Sequence, residues 1–181
     1  MTEPNRGEKT VIVLAMHGAP PLDFPRAELA EFFILQARIG HGESQDIQSP
    51  AALRYRELEE KIRTWPRTSE NDPFYAGSLD LASELEQASG LKVIVGFNEF
   101  CAPTVDEALD RAVSRAEGKV IVITPMMTRG GEHSAVEIPQ AVERARKRHP
   151  GTEFIYAWPF ATDAVARFLA SQISPFLKLS D

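Results

Sequence analysis

The sequence predicts an α/β domain, an open and mostly parallel four-stranded sheet flanked by helices, with a helical insertion after the first strand. Three observations carry this expectation. Four short runs are nearly all apolar and rich in β-branched or aromatic residues, the composition of strands covered on both faces. Segments between and after them place apolar residues at helical spacing. Strand and helix then alternate, which is the order of a sheet built from right-handed crossovers.

The first strand is residues 10–16 (TVIVLAM), and the next apolar run begins only at Lys92. A crossover needs only about 10–12 residues, so residues 21–73 are read as an insertion within a single domain spanning 1–181. Inside it, 26–39 carries Leu29, Phe32, Phe33 and Gln36 on one helical face. Ala51, Tyr55, Leu58, Ile62 and Trp65 mark a second helix whose other faces hold Arg54, Arg56, Glu57, Glu60, Lys61 and Arg63. The two are expected to pair as a helical hairpin. The polar stretch 66–73 (PRTSENDP) reads as a connector to a helix over 75–89 and a strand over 92–97 (KVIVGF).

Residues 105–117 form the best-defined helix, with Val105, Ala108, Leu109, Ala112, Val113 and Ala116 on one face and a Thr104/Glu107 capping box after Pro103. A third strand follows at 119–124 (KVIVIT), then a helix over 139–148 with Pro139 in its first turn. The basic run Arg144, Arg146, Lys147, Arg148 and His149 reads as a complement to the negative end of that helix. A fourth strand at 153–158 (EFIYAW) and a helix over 164–177 complete the pattern.

Composition excludes several functions. Twenty Lys and Arg against 26 Asp and Glu give a net charge of −6, which argues against nucleic-acid backbones and anionic membrane surfaces. The single cysteine, Cys101, makes neither an intramolecular disulfide nor an iron–sulfur cluster. Val11–Met16 is far shorter than the ~18 residues of a membrane span, so a cytoplasmic location is expected. Gly130 and Gly131 lack the spacing of a phosphate-binding loop, and no nucleotide cofactor is expected.

Ligands of open α/β sheets bind beyond the carboxyl ends of the strands, so the residues at those exits are the candidates for chemistry. His17 follows the first strand in MHGAP, Glu99 the second in GFNEF, and His133 lies in the loop TRGGEH after the third. Singly, each reads as a local hydrogen-bonding residue or a solvated carboxylate. Together, two imidazoles and a carboxylate suit a divalent metal such as Fe, Co, Ni or Zn, or general-base work near neutral pH. His41 and His149 read as structural or surface residues, and Cys101 as a small buried hydrophobe or a soft auxiliary ligand. Met16 stands where a phosphohistidine enzyme would carry an arginine, and no Gly-x-Ser-x-Gly elbow is present.

Three ordered blocks, MHGAP, FNEFCAPTVDEAL and VITPMMTRGGEHSAVEIP, resemble the class II tetrapyrrole chelatases, in particular the short sirohydrochlorin cobaltochelatase type. Asn98 stands where that family usually has leucine, Ala102 where an acidic residue is common, Glu137 for the usual aspartate, and Phe160-Ala161 where glycine is common. Residues 21–73 look more like the helical region of the protoporphyrin ferrochelatases.

The resemblance implies a flavodoxin-like lobe in cobalamin biosynthesis that inserts Co2+, Fe2+ or Ni2+ into a tetrapyrrole such as sirohydrochlorin without ATP. It assigns His17, Glu99 and His133 as metal ligands and catalytic groups. Arg129 is the candidate partner for a substrate carboxylate, with Arg26, Arg54 and Arg56 secondary. Met126, Met127 and Gly131 are candidate substrate contacts, and Pro125, Trp158 and Phe160 candidate walls for the macrocycle. Two-lobed relatives build their site between halves, so a homodimer is expected. A tetrapyrrole or metal carrier without turnover is the alternative.

Overall fold

A computed structural model describes residues 10–40 and 48–177; the reading of His41 lies outside them. Strands β1 (Val11–Met16), β2 (Lys92–Phe97), β3 (Lys119–Ile123) and β4 (Glu153–Tyr156) form one parallel sheet in the order β2-β1-β3-β4. The chain therefore leaves the centre of the sheet, goes to one edge, and returns to the other side of β1. A crevice at the carboxyl end of the strands, where the winding direction reverses, follows from this order.

The period of two along β1 sorts the core. Val11, Val13 and Ala15 pack with Val120 and Val122 under α4 (Val105–Val113) and α5 (Ile138–Arg148). Ile12, Leu14 and Met16 face the other way with Val93, Val95 and Phe97, beneath Ala82, Tyr75 and Leu85 of α3 (Pro73–Ser89). Gly96 has no Cβ because one there would meet Ala108 Cβ at 2.7 Å, so α4 lies almost on the strand. Between β1 and β2, α1 (Arg26–Gly40) and α2 (Pro50–Arg63) pair as a helical hairpin, joined by a third core of Phe24, Phe32, Leu35, Leu58 and Ile62. Leu35 takes the inward place expected of Phe33, which is exposed.

Element ends differ from the expectation for local reasons. The α4 helix stops at Val113, where the Ser114 hydroxyl donates to Arg111 O at 2.7 Å. Ahead of α5, a π-helical turn (His133–Glu137) makes His133 the start of a helical segment rather than a loop residue. The last helix, α6 (Thr162–Ile173), yields to a 3-10 turn at Ser174–Phe176. No α6 residue is buried, and Phe168, Leu169 and Ile173 are exposed together with Ile155 of β4. The expectation of strands covered on both faces therefore fails at β4, where Phe154 is buried and Ile155 is not.

The basic run at the end of α5 faces a partner helix rather than only its own dipole. Arg144 grips Asp106 through both carboxylate oxygens at 3.1 and 2.5 Å, Arg148 bridges Asp106 and Asp110, and His149 Nε2 lies 2.7 Å from Asp110. Burial alone would raise the Asp106 pKa, but the Arg144 and Arg148 guanidiniums outweigh it and hold the carboxyl below its ordinary range. A depressed folded-state pKa contributes stability that is present above the unfolded value and lost as pH falls through the folded one. Asp106→Asn should thus lower the melting temperature at pH 7, with the gap from the parent narrowing below roughly pH 3.9; thermal denaturation followed across pH checks this.

Candidate metal centre

The β1–β2 ladder continues past the ends of the strands, and this pairing places the first two candidate ligands side by side. Asn98 N–H donates to Met16 O and Glu99 N–H to His17 O, each at 2.9 Å. Gly18 follows with φ +102°, and a Cβ there would sit 1.9 Å from Glu99 O. Only glycine lets the two exits approach so closely. The π-helical turn brings in the third residue. The rings of His17 and His133 meet edge to face, centroids 4.5 Å apart and planes at 86°.

One donor atom from each of His17, Glu99 and His133 lies within 4.8 Å of the others. Ions of the zinc and cobalt kind hold such donors at about 2.0–2.2 Å, so a small closure of exposed His17 and half-buried Glu99 suffices to share one ion. Hydrogen bonds select the ring nitrogens. His17 Nδ1 lies 2.7 Å from Gly18 O and must carry its proton to bond there. His133 Nδ1 lies 2.5 Å from Glu137 Oε2, which accepts a hydrogen bond from the protonated Nδ1. In its neutral form each ring then keeps its lone pair on Nε2, and Glu137 orients His133 in the manner of a carboxylate behind a metal-binding histidine. Glu137 was not singled out from the sequence as functional, although its place four residues beyond His133 on a helical turn was a usable signal.

Arg67, in the polar stretch 66–73, bears on the site although no sequence pattern marks it. Its guanidinium is 7% exposed and pairs with Asp72, which is 1% exposed. Nη1 also donates to Ala19 O at 2.7 Å, and Nη2 to Ile62 O at 2.8 Å and Phe100 O at 2.5 Å. One side chain thus joins the end of α2 to the loops just past His17 and Glu99. Asp72 in turn caps α3 by accepting from Tyr75 N–H at 2.8 Å. Phe100 has a left-handed φ of 57°, unusual for an aromatic residue, and its ring packs against both the sheet core and the hairpin core. Cys101 is buried, with Sγ 3.6 Å from Ala19 O; burial pushes its thiol pKa up, and it is not one of the three clustered donors.

The other candidates are dispersed. Met126 packs against the sheet core, and its carbonyl accepts from Trp158 Nε1 at 2.9 Å. Met127, Pro125 and Phe160 are half-buried, while Arg129 and Gly131 are exposed. Gly131 O accepts from Ala135 N–H at 2.8 Å, which starts the turn bearing His133. Tyr156 OH donates to Ser134 O at 2.9 Å and ties that turn to β4; burial raises its pKa. Arg54 is engaged by Glu31 and Glu57, Arg56 Nε donates to Ala52 O, and Arg26 is exposed. A cavity of about 450 Å³ opens beside Glu99, between the hairpin and the strand exits; Arg129, Met126, Met127 and Gly131 do not line it.

The CbiX family model matches residues 68–174, more than half of the chain. The chain belongs to the CbiX family. The CbiX match takes in Glu99 and His133, and begins after His17 and the hairpin. A sirohydrochlorin cobaltochelatase of Priestia megaterium is 35% identical over 63 residues, covering 35% of this chain and 20% of the relative. The CbiX chain thus aligns with about one fifth of the length of that curated relative. Two solved structures are similar at low identity. The sirohydrochlorin chelatase SirB of Bacillus subtilis subspecies spizizenii, in complex with cobalt, has a TM-score of 0.46 at 15% identity, over 92% of this chain and 50% of that one. A Marinobacter aquaeolei VT8 protein described as of the CbiX type in cobalamin (vitamin B12) biosynthesis has a TM-score of 0.45 at 16% identity, over 94% and 99%. Among the described residues, no helix is long and apolar enough to cross a membrane.

Removing one member of a buried ion pair leaves the other charge unpaired, at a cost of about 3–5 kcal/mol. Arg67→Met should destabilise the protein by that order in urea denaturation. The double replacement Arg67→Met/Asp72→Leu should recover part of the loss, because no isolated charge then remains buried.

Proposed function

We propose that this CbiX chain inserts Co2+, Fe2+ or Ni2+ into sirohydrochlorin or a closely related tetrapyrrole without ATP. The convergence of His17, Glu99 and His133, with both imidazole Nε2 atoms free, carries the reading. Two imidazoles and one carboxylate leave coordination positions open, so the ion can be handed on rather than retained. Insertion exchanges the metal for two pyrrole N–H protons, and the acceptors must lie next to the ring. In this reading the freed imidazoles and Glu99 serve in turn as ligands and proton acceptors. Glu137 keeps the proton on His133 Nδ1, so that Nε2 faces the reaction throughout.

The remaining assignments are proposals of the same kind. Arg129, on the exposed loop before His133, pairs with a substrate carboxylate, and Met126, Met127 and Gly131 contact the macrocycle. Residues 21–73 act as an insertion that walls one side of the site. The protein works in the cytoplasm as a homodimer, and the unburied apolar side chains of α6 and β4, Phe168, Leu169, Ile173 and Ile155, support a second copy as their cover.

Anaerobic incubation with sirohydrochlorin and each metal should change the absorption spectrum faster than the uncatalysed control. His17→Ala and His133→Ala should each slow insertion by about 100-fold or more. Stoichiometric tetrapyrrole binding without acceleration would instead support a carrier, and unchanged rates in both variants would remove the site assignment. Light scattering should give twice the chain mass, and Phe168→Glu/Ile173→Glu should give the monomer.

A further inference from the structure

The two faces of the sheet are covered unequally. On one face, Val120, Val122 and Phe154 are buried beneath α4 and α5. On the other, α3 lies over β2 and β1, and the cover runs out toward β4. Ile12, Ile121 and Ile155 stand abreast in the register of β1, β3 and β4, and they are 7% exposed, half-buried and 39% exposed in turn. A helix is about 10 Å across, close to the span of two strands spaced by about 4.8 Å, so the bare part over β3 and β4 is the seat of one helix.

The element that follows β4 is α6, yet none of the three cores includes a residue of it. Val165, Phe168, Leu169, Gln172 and Ile173 form one stripe without charge, of which Val165 is half-buried and the rest exposed. The two charges of the helix, Asp163 and Arg167, lie on the opposite face and pair with each other at 2.7 Å. Local bonds hold the segment that leads into α6 at the exits of β3 and β4. Ala157 N–H donates to Val122 O at 2.8 Å, and Trp158 Nε1 to Met126 O at 2.9 Å. Started there, α6 leaves the bare patch of its own sheet uncovered.

One chain thus carries an apolar helix seat and an apolar helix without a seat. Their charges do not conflict, because Lys119 and Glu153 at the rim of the patch pair with each other at 3.0 Å. We infer that two copies exchange α6, the stripe of each helix lying on Ile121 and Ile155 of the other copy. The inference rests on the homodimer proposed above and adds which surfaces meet in it. Reciprocal donation closes the pair with two-fold symmetry and leaves neither a seat nor a helix for a third copy.

The test uses the full chain with cysteines on the two surfaces, Ile155→Cys and Phe168→Cys, and a short bismaleimide; Cys101 is buried, and the parent protein controls for it. The two single variants, one with a longer tag, are mixed and allowed to exchange copies. Cross-linked peptides should join position 155 of one copy to position 168 of the other, and the double variant should give covalent dimers on a denaturing gel. A link from 155 to 168 closed within one chain, or links from 168 to 168 with none from 155 to 168, would overturn the exchange. Without cysteines, Ile155→Glu should raise the dimer dissociation constant by about 100-fold or more, as Phe168→Glu should, because the two side chains lie on opposite sides of one contact. Dissociation in Phe168→Glu alone would also overturn the exchange and indicate α6 packed on α6. A parent that is monomeric in light scattering would overturn the homodimer reading itself, a separate outcome.

Discussion

A guanidinium cannot remain buried without acceptors, and the arrangement around Arg67 is the consequence of that constraint. Its partners, Asp72 and the carbonyls of Ala19, Ile62 and Phe100, come from the connector, the β1 exit, the end of α2 and the β2 exit. Each partner fixes a segment that has little regular structure to hold it. The left-handed backbone of Phe100 is kept by this bond and by a ring wedged between two cores. Among the described residues, Phe100 packs against both the sheet core and the hairpin core, so the clamp and that ring act at the same junction.

The many ion pairs elsewhere do not play this part. Lys61–Glu28 and Arg54–Glu31 stitch α2 to α1 at the surface, where water and salt screen such pairs to about 0–1 kcal/mol each. The hairpin is held more by burial of Leu58 and Ile62 than by its charges. Specific geometry at the strand exits comes from backbone bonds, from Gly18, and from the buried Arg67–Asp72 pair. These are the groups for which a small displacement moves His17 or Glu99.

The sheet was legible because alternation and β-branched composition are properties of short segments, and the Thr104/Glu107 cap because both partners lie within one turn. His17, Glu99 and His133 were found through a rule of topology, that parallel strands deliver ligands at their carboxyl ends. Arg67 and Asp72 escaped because polar residues between prolines look alike whether solvated or buried, and their burial is decided by distant carbonyls. Leu35 rather than Phe33 joins the hairpin core with Leu58 and Ile62 of α2, neighbours that lie more than twenty residues on in the chain. The pairing of Arg144 and Arg148 with α4 likewise needed a neighbour that lies far away in the chain.

The strand order has a further consequence for timing. His17, Glu99 and His133 stand on the exits of three adjacent strands, and no two of them are near in the chain. A partly folded chain, with β2 or β3 still undocked, has at most two of the donors in place, and its loop-closure entropy opposes gathering the third. At the proposed site, high-affinity capture of an ion would therefore wait until β1, β2 and β3 are docked together. An ion bound there would report that these three strands had docked, and by mass action it would favour their assembled arrangement over any half-formed one.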